Sequence, residues 1–180
     1  MSDGHNARND HERNAARFKD TAERFCHIVD SASGFGGVEI LFRIYQILPT
    51  LIGEAVQLPD VELTDDQNPN RLETPGKQEQ WKKLYDLLKV KLGDADLYWQ
   101  VFDPTKHSEP IHGTLADDIA DIHGDLKEGL TLLDDCSGTT AEAIWTWRTL
   151  FLSHWGDHAM NGLRTIHHLL SERLGDGELT

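Results

Sequence analysis

Cysteine is scarce in this chain: two in 180 residues, Cys26 and Cys136, far apart. That spacing excludes a disulfide framework and a zinc ribbon, which need closely set groups. It fits a reducing cytosol, and a single bridge is the only pairing the count allows. Basic residues are few as well, 17 against 31 acidic ones, giving a formal net charge of −14 and a pI of about 5.0. A field of that sign repels phosphate backbones and anionic bilayers, so nucleic acid and membrane are excluded as expected partners, and cations or basic proteins are left. No apolar run reaches the about 18–20 residues of a membrane span. The opening MSDGHNARNDHER lacks the apolar core of a secretory signal, so a cytoplasmic location is expected. Also missing are a glycine loop after a strand, a G-x-S-x-G elbow, a catalytic Cys/His signature and any fixed-period repeat. Those absences remove support for Rossmann, P-loop and nucleophile-elbow sites.

What the chain does have is helical periodicity. In Thr114–Asp135, Leu115, Ile119, Ile122, Leu126, Leu130 and Leu133 recur at steps of three and four, which lines one side of a helix. Thr114 and Asp117 make a capping-box-like start, and Ser137-Gly138 reads as its close. This helix is expected at the centre. Met1 to about Asn14 reads as a disordered polar leader, followed by a helix over about Ala15–Ala32 on the seam Phe18, Ala22, Phe25, Val29. Val38–Leu58 is apolar nearly all round, so it is expected to be buried, with Pro49 kinking or breaking it and Glu54 facing out. Residues 59–76 read as an acidic, proline-containing loop. Lys77–Leu92 is a helix ended by Gly93, and Asp96–Pro104 fits a one- or two-turn aromatic helix. Thr139 and Glu142 signal a capping box, after which about Ala141–Leu174 reads as one helix, bent near Gly156 or Gly162. Residues 175–180 read as a frayed tail. The fold class expected is all-α: a single-domain irregular bundle of about five main helices over residues 15–174.

Two groups of residues carry chemistry. Asp118, Asp121 and Asp125 run along one flank of the central helix, a carboxylate row suited to a hard cation but expected to be a solvated face. His154 and His158, one helical turn apart, can present two imidazoles to one metal. The zincin glutamate is absent between them, so a metal site there needs a third ligand from elsewhere, such as the aspartate row. Arg164 with Asn161 and His168 offers donors for a carboxylate or phosphate, and Tyr98 and Trp155 are candidate walls of a ligand pocket.

Three blocks, DLYWQVFDP (Asp96–Pro104), LADDIADIHGDLK (Leu115–Lys127) and HWGDHAMNGLRTIH (His154–His167), together resemble the bacterial domain-of-unknown-function family 5063. The resemblance implies a helical bacterial protein and no particular reaction. Its motif positions mark Asp103, Asp118, Asp121, Trp155, Gly156, Asn161, Arg164 and His167 for attention. With no recognised catalytic constellation beside so acidic a surface, the leading expectation is a non-enzymatic binding or interaction module without cofactor. The alternative is a divalent-metal-dependent hydrolase of a phosphate-containing small molecule. Convergence of the aspartate flank and the histidine pair within coordination distance would favour the alternative.

Overall fold

A computed structural model describes residues 3–64, 67, 76–101, 103–134 and 139–175. Cys136, the Ser137-Gly138 signal, the end of the tail and most of the 59–76 loop lie outside the described residues. The order is α1 (Asp3–Asp30), α2 (Gly37–Ala55), α3 (Lys77–Leu92), β1 (Leu97–Gln100), β2 (Ile111–Thr114), α4 (Leu115–Asp134), α5 (Thr140–Leu150), a π-helical segment (Phe151–Trp155) and α6 (Gly156–Gly175). Since α5, the π segment and α6 run on without a break, the described residues form five main rods.

The expected centre is the actual one: α4 packs against α1, α3, α5 and α6. Leu115, Ile119, Ile122, Leu126 and Leu130 are all buried, facing Phe18, Phe25 and Val29 of α1 and the apolar arc of α2 in one core. Its first turn leaves orphan N–H groups that need acceptors. Asp96, itself buried, supplies two: its carbonyl accepts from Leu115 N (2.9 Å) and its carboxylate from Ala116 N (2.8 Å). Thr114 Oγ1 accepts more loosely from Asp117 N (3.3 Å). At the start of α5 both halves of the Thr139–Glu142 capping box form. Trp147 Nε1 donates to Leu126 O (3.0 Å), locking α5 onto α4. The contact depends on Gly129, where a Cβ would lie 2.3 Å from that nitrogen.

Three local expectations are corrected, and of the two outcomes expected at Pro49 the break does not occur. Helix α1 already begins at Asp3, so the polar stretch before residue 15 continues the helix in place of a disordered leader. Pro49 sits inside an unbroken α2. Glu54 faces inward, where it is 8% exposed and pairs with Arg17 of α1 at 3.2 Å. The aromatic stretch after Asp96 is a strand: β1 pairs antiparallel with β2 from Leu97↔Thr114 to Gln100↔Ile111. Its residues alternate between exposed Leu97 and Trp99 and half-buried Tyr98 and Gln100, the two-residue period that suits bulky side chains on a pleated ribbon. Gly113 lets Tyr98 lie across β2, because a Cβ there would come within 2.7 Å of the phenol ring.

Candidate metal centre

Helix α4 presents Asp118, Asp121 and Asp125 at steps of three and four, so they share one flank, and Asp117 lies beside them. The solvated face expected of this flank is corrected: it faces the α5–π–α6 rod, and Asp118 and Asp125 are 2% and 7% exposed. The rod brings His154 and His158 onto this row. Its π segment includes His154 and ends at Gly156, where a Cβ would lie 2.2 Å from Phe151 O, so glycine lets the wide turn close. Gly162 places the α6 backbone against Asp118, with its Cβ position 3.5 Å from Oδ2.

The two imidazoles are held alike. His154 Nδ1 is 2.6 Å from Asp125 Oδ2, and His158 Nδ1 is 2.8 Å from Asp118 Oδ1. Their other nitrogens point at one carboxylate oxygen: Asp121 Oδ2 is 3.4 Å from His158 Nε2 and 3.9 Å from His154 Nε2. Two of the remaining oxygens of this set have fixed donors. Trp81 Nε1 of α3 donates to Asp121 Oδ1 (2.7 Å), and the Tyr98 hydroxyl donates to Asp118 Oδ2 (2.7 Å). Two sets of three ligand atoms, each within 4.8 Å of one another, result: Asp121 with His154 and His158, and Asp117 with Asp118 and His158.

The protonation equilibria reflect negative charge crowded into a small, partly dry volume. Burial pushes Asp117, Asp118 and Asp125 above the ordinary carboxylate range, and the neighbouring Asp121 adds to each shift. Burial alone would lower His158, but its hydrogen bond to Asp118 and the charges of Asp118, Asp121 and Asp117 outweigh that and raise it. Burial, and then Asp118, raise the Tyr98 phenol, so Tyr98 remains a hydrogen-bond donor. The His158–Asp118 pair therefore keeps its proton to higher pH than a free imidazole does, as expected where several like charges crowd around one proton.

The other residues singled out in the sequence do not join this cluster. Trp155 is wholly buried in the core, its indole N–H donating to Trp147 O (3.3 Å). Asp103 caps the hairpin turn, accepting from Thr105 N (2.9 Å) and pairing with Lys106 (2.8 Å). His167 is exposed and shares a hydrogen bond with the Tyr45 hydroxyl (2.8 Å), and exposed His168 lies 3.3 Å from Glu172. Asn161 is half-buried, Arg164 is exposed, and neither has a polar side-chain partner among the described residues. Of the ligand-binding candidates only Tyr98 reaches the cluster. Trp81 reads in the sequence as an ordinary seam residue of α3, and nothing in its spacing signals the indole hydrogen bond that brings it into the site.

The fold has a solved counterpart. A crystal structure of protein BF1032 from Bacteroides fragilis aligns with a TM-score of 0.72 at 24% identity, covering 87% of this chain and 91% of that one. No curated protein matches the sequence. No helix among the described residues is long and apolar enough to cross a membrane. A family model described as a domain of unknown function, DUF5063, matches residues 9–172, a span that holds every side chain of the cluster, and the chain belongs to that family.

Proposed function

We propose that this protein is a metal-dependent hydrolase acting on a phosphate-containing small molecule, with His154, His158 and Asp121 as the metal ligands. One observation carries the reading. Each imidazole has its Nδ1 on a buried aspartate and its Nε2 turned to the same oxygen of Asp121. A carboxylate on one nitrogen fixes the ring and leaves the other nitrogen's lone pair for a metal. Bonds of about 2.0–2.1 Å at tetrahedral angles put ligand atoms about 3.3 Å apart. The separations of 3.4 and 3.9 Å are close to that and need only a small contraction.

Two imidazoles and one carboxylate suit a first-row divalent ion such as zinc, manganese or iron better than magnesium or calcium. Three protein ligands would leave an open position for water or a substrate oxygen. A bound divalent ion acidifies such a water towards neutrality and polarises a phosphoryl oxygen. Around it, Trp81 holds Asp121, Tyr98 holds Asp118, and the half-buried Asp117, with a carboxylate oxygen within 4.8 Å of ligand atoms of Asp118 and His158, would accept a proton from a metal-bound water.

The test is elemental analysis of protein purified without a histidine tag, followed by calorimetric titration with Zn²⁺ and Mn²⁺ and an assay of phosphate release from monoesters and anhydrides. Metal at one equivalent is expected, with His154→Ala, His158→Ala and Asp121→Ala each weakening it by about tenfold or more. Absence of uptake for every divalent ion would end the reading. A second reading, a non-enzymatic binding module, is favoured by the outer face of the hairpin, where Leu97 and Trp99 are 55% and 67% exposed. It is the better account if metal-loaded protein releases no phosphate above that of Asp121→Asn.

A further inference from the structure

We infer that the cleft between α1, α3 and α4 holds the planar apolar body of an aromatic or heterocyclic phosphate monoester, whose phosphate faces the metal centre; the second half rests on the function proposed above. The cleft has a volume of about 430 Å³. Val29, Leu84, Leu87 and Trp81 supply apolar wall, and Ala120 and Gly124, one turn apart on α4, line it as well. The two small residues make the room: a Cβ built on Gly124 meets nothing within 4 Å.

Charge at the rim runs against the rest of the molecule. Lys77, Lys83 and Lys127 stand there against two carboxylates, Asp30 and Glu128, in a chain of net charge −14. His123, whose burial lowers its affinity for protons, adds no charge at neutral pH. Lys127 is 3.0 Å from Asp30, and Lys77 pairs with Glu128, but no acidic partner holds Lys83 among the described residues. The excess is therefore positive, which selects an anion. Apolar walls with a few charged groups are the usual make-up of a small-molecule site.

The cleft and the cluster are neighbouring faces of α4, and two residues belong to both. Trp81 lines the cleft while its N–H holds Asp121. Lys77 lines the cleft while its charge lowers the proton affinity of Asp125. A ring beside Trp81 thus has its charged end directed along Lys77 to the carboxylate row, the one part of the surroundings that needs a metal to receive an anion.

The experiment compares phenylphosphonate with methylphosphonate, which share a non-hydrolysable headgroup and differ only in the ring. Both are titrated calorimetrically into wild-type, Gly124→Leu and Lys83→Glu proteins, with and without Mn²⁺. The metal-free wild type is expected to bind phenylphosphonate about tenfold more tightly than methylphosphonate, the gain from burying a ring. Gly124→Leu fills the cleft and is expected to erase that preference while leaving manganese uptake unchanged. Lys83→Glu, on an exposed position, is expected to weaken phenylphosphonate by about threefold or more. Equal binding of the two phosphonates to wild type overturns the inference, as does a preference that survives in Gly124→Leu. Should that variant fail to fold, unchanged phenylphosphonate affinity in Lys83→Glu overturns it. Failure of manganese to tighten either phosphonate counts against the hydrolase reading alone, since the preference is read without metal.

Discussion

Replacing Asp121 by asparagine should move stability in opposite directions with and without metal. The amide keeps an oxygen for the Trp81 N–H, so no buried donor is orphaned. It removes the charge that raises Asp117, Asp118 and Asp125. Above the titration of His158 that imidazole is neutral, and what the substitution removes there is like-charge repulsion. The side chain of Asp121 is 20% exposed, so solvent screens part of this, and relief on the order of 1 kcal/mol is expected. For a chain of this size that raises the melting temperature of metal-free protein by about 2–4 °C. Metal at a hundredfold its dissociation constant stabilises the wild type by about 2.7 kcal/mol, or about 5–11 °C, and should give the variant, with affinity weaker by about tenfold or more, about 1.4 kcal/mol or less. Differential scanning fluorimetry at alkaline pH, with chelator or with Mn²⁺, reads both effects. A variant that is less stable than wild type in chelator, or equally stabilised by metal, would refute the assignment. The first result would make Asp121 a structural ion-pair partner, the second a bystander.

Three further outcomes are expected. His158 has a raised folded-state value, so its contribution to stability is complete below the ordinary imidazole value of 6.5 and is lost as pH rises through the folded one; melting curves of metal-free protein should fall across that interval, and His158→Gln should flatten them. Two helical glycines of α4 should respond oppositely to alanine. Gly124→Ala meets open space and should gain about 1 kcal/mol from helix propensity, whereas Gly129→Ala drives a methyl to 2.3 Å from Trp147 Nε1 and should cost about 1–3 kcal/mol, both measured by urea unfolding. Cys26 is buried, and that burial pushes its thiol up to about 12, so a disulfide reagent at neutral pH should label it only at the rate of unfolding.

The seams of the bundle are legible because burial imposes a period on sequence. Phe18, Phe25 and Val29, and Leu115 to Leu130, announce both a helix and its inward side, and Thr139 with Glu142 announces a start through chemistry confined to four residues. The part beyond reach is non-local. An apolar stripe fixes the middle of the buried arc but not its edges, and Asp118 and Asp125 are edge residues whose burial depends on how closely α6 approaches. The π segment adds a second difficulty. A turn with one extra residue rotates all later side chains by about 100° relative to an ideal helix, so projecting residues 141–174 on a single wheel separates the histidines from their true surroundings. The hairpin adds a third, because Tyr98 reaches Asp118 only once β1 has paired with β2 across Gly113.

These three blind spots coincide at one place, and the coincidence bears on function. Folding alone gives no reason to dry two carboxylates at a helix interface, where apolar side chains of similar volume often stabilise as well or better. Nor does it call for a widened turn beside one histidine and a glycine to permit it. Each departure from the simplest helical packing lies beside an imidazole or a carboxylate of the cluster. Titration shifts gathered on several groups in one spot are a recognised mark of functional sites. Local rules fail most where a chain does something other than fold.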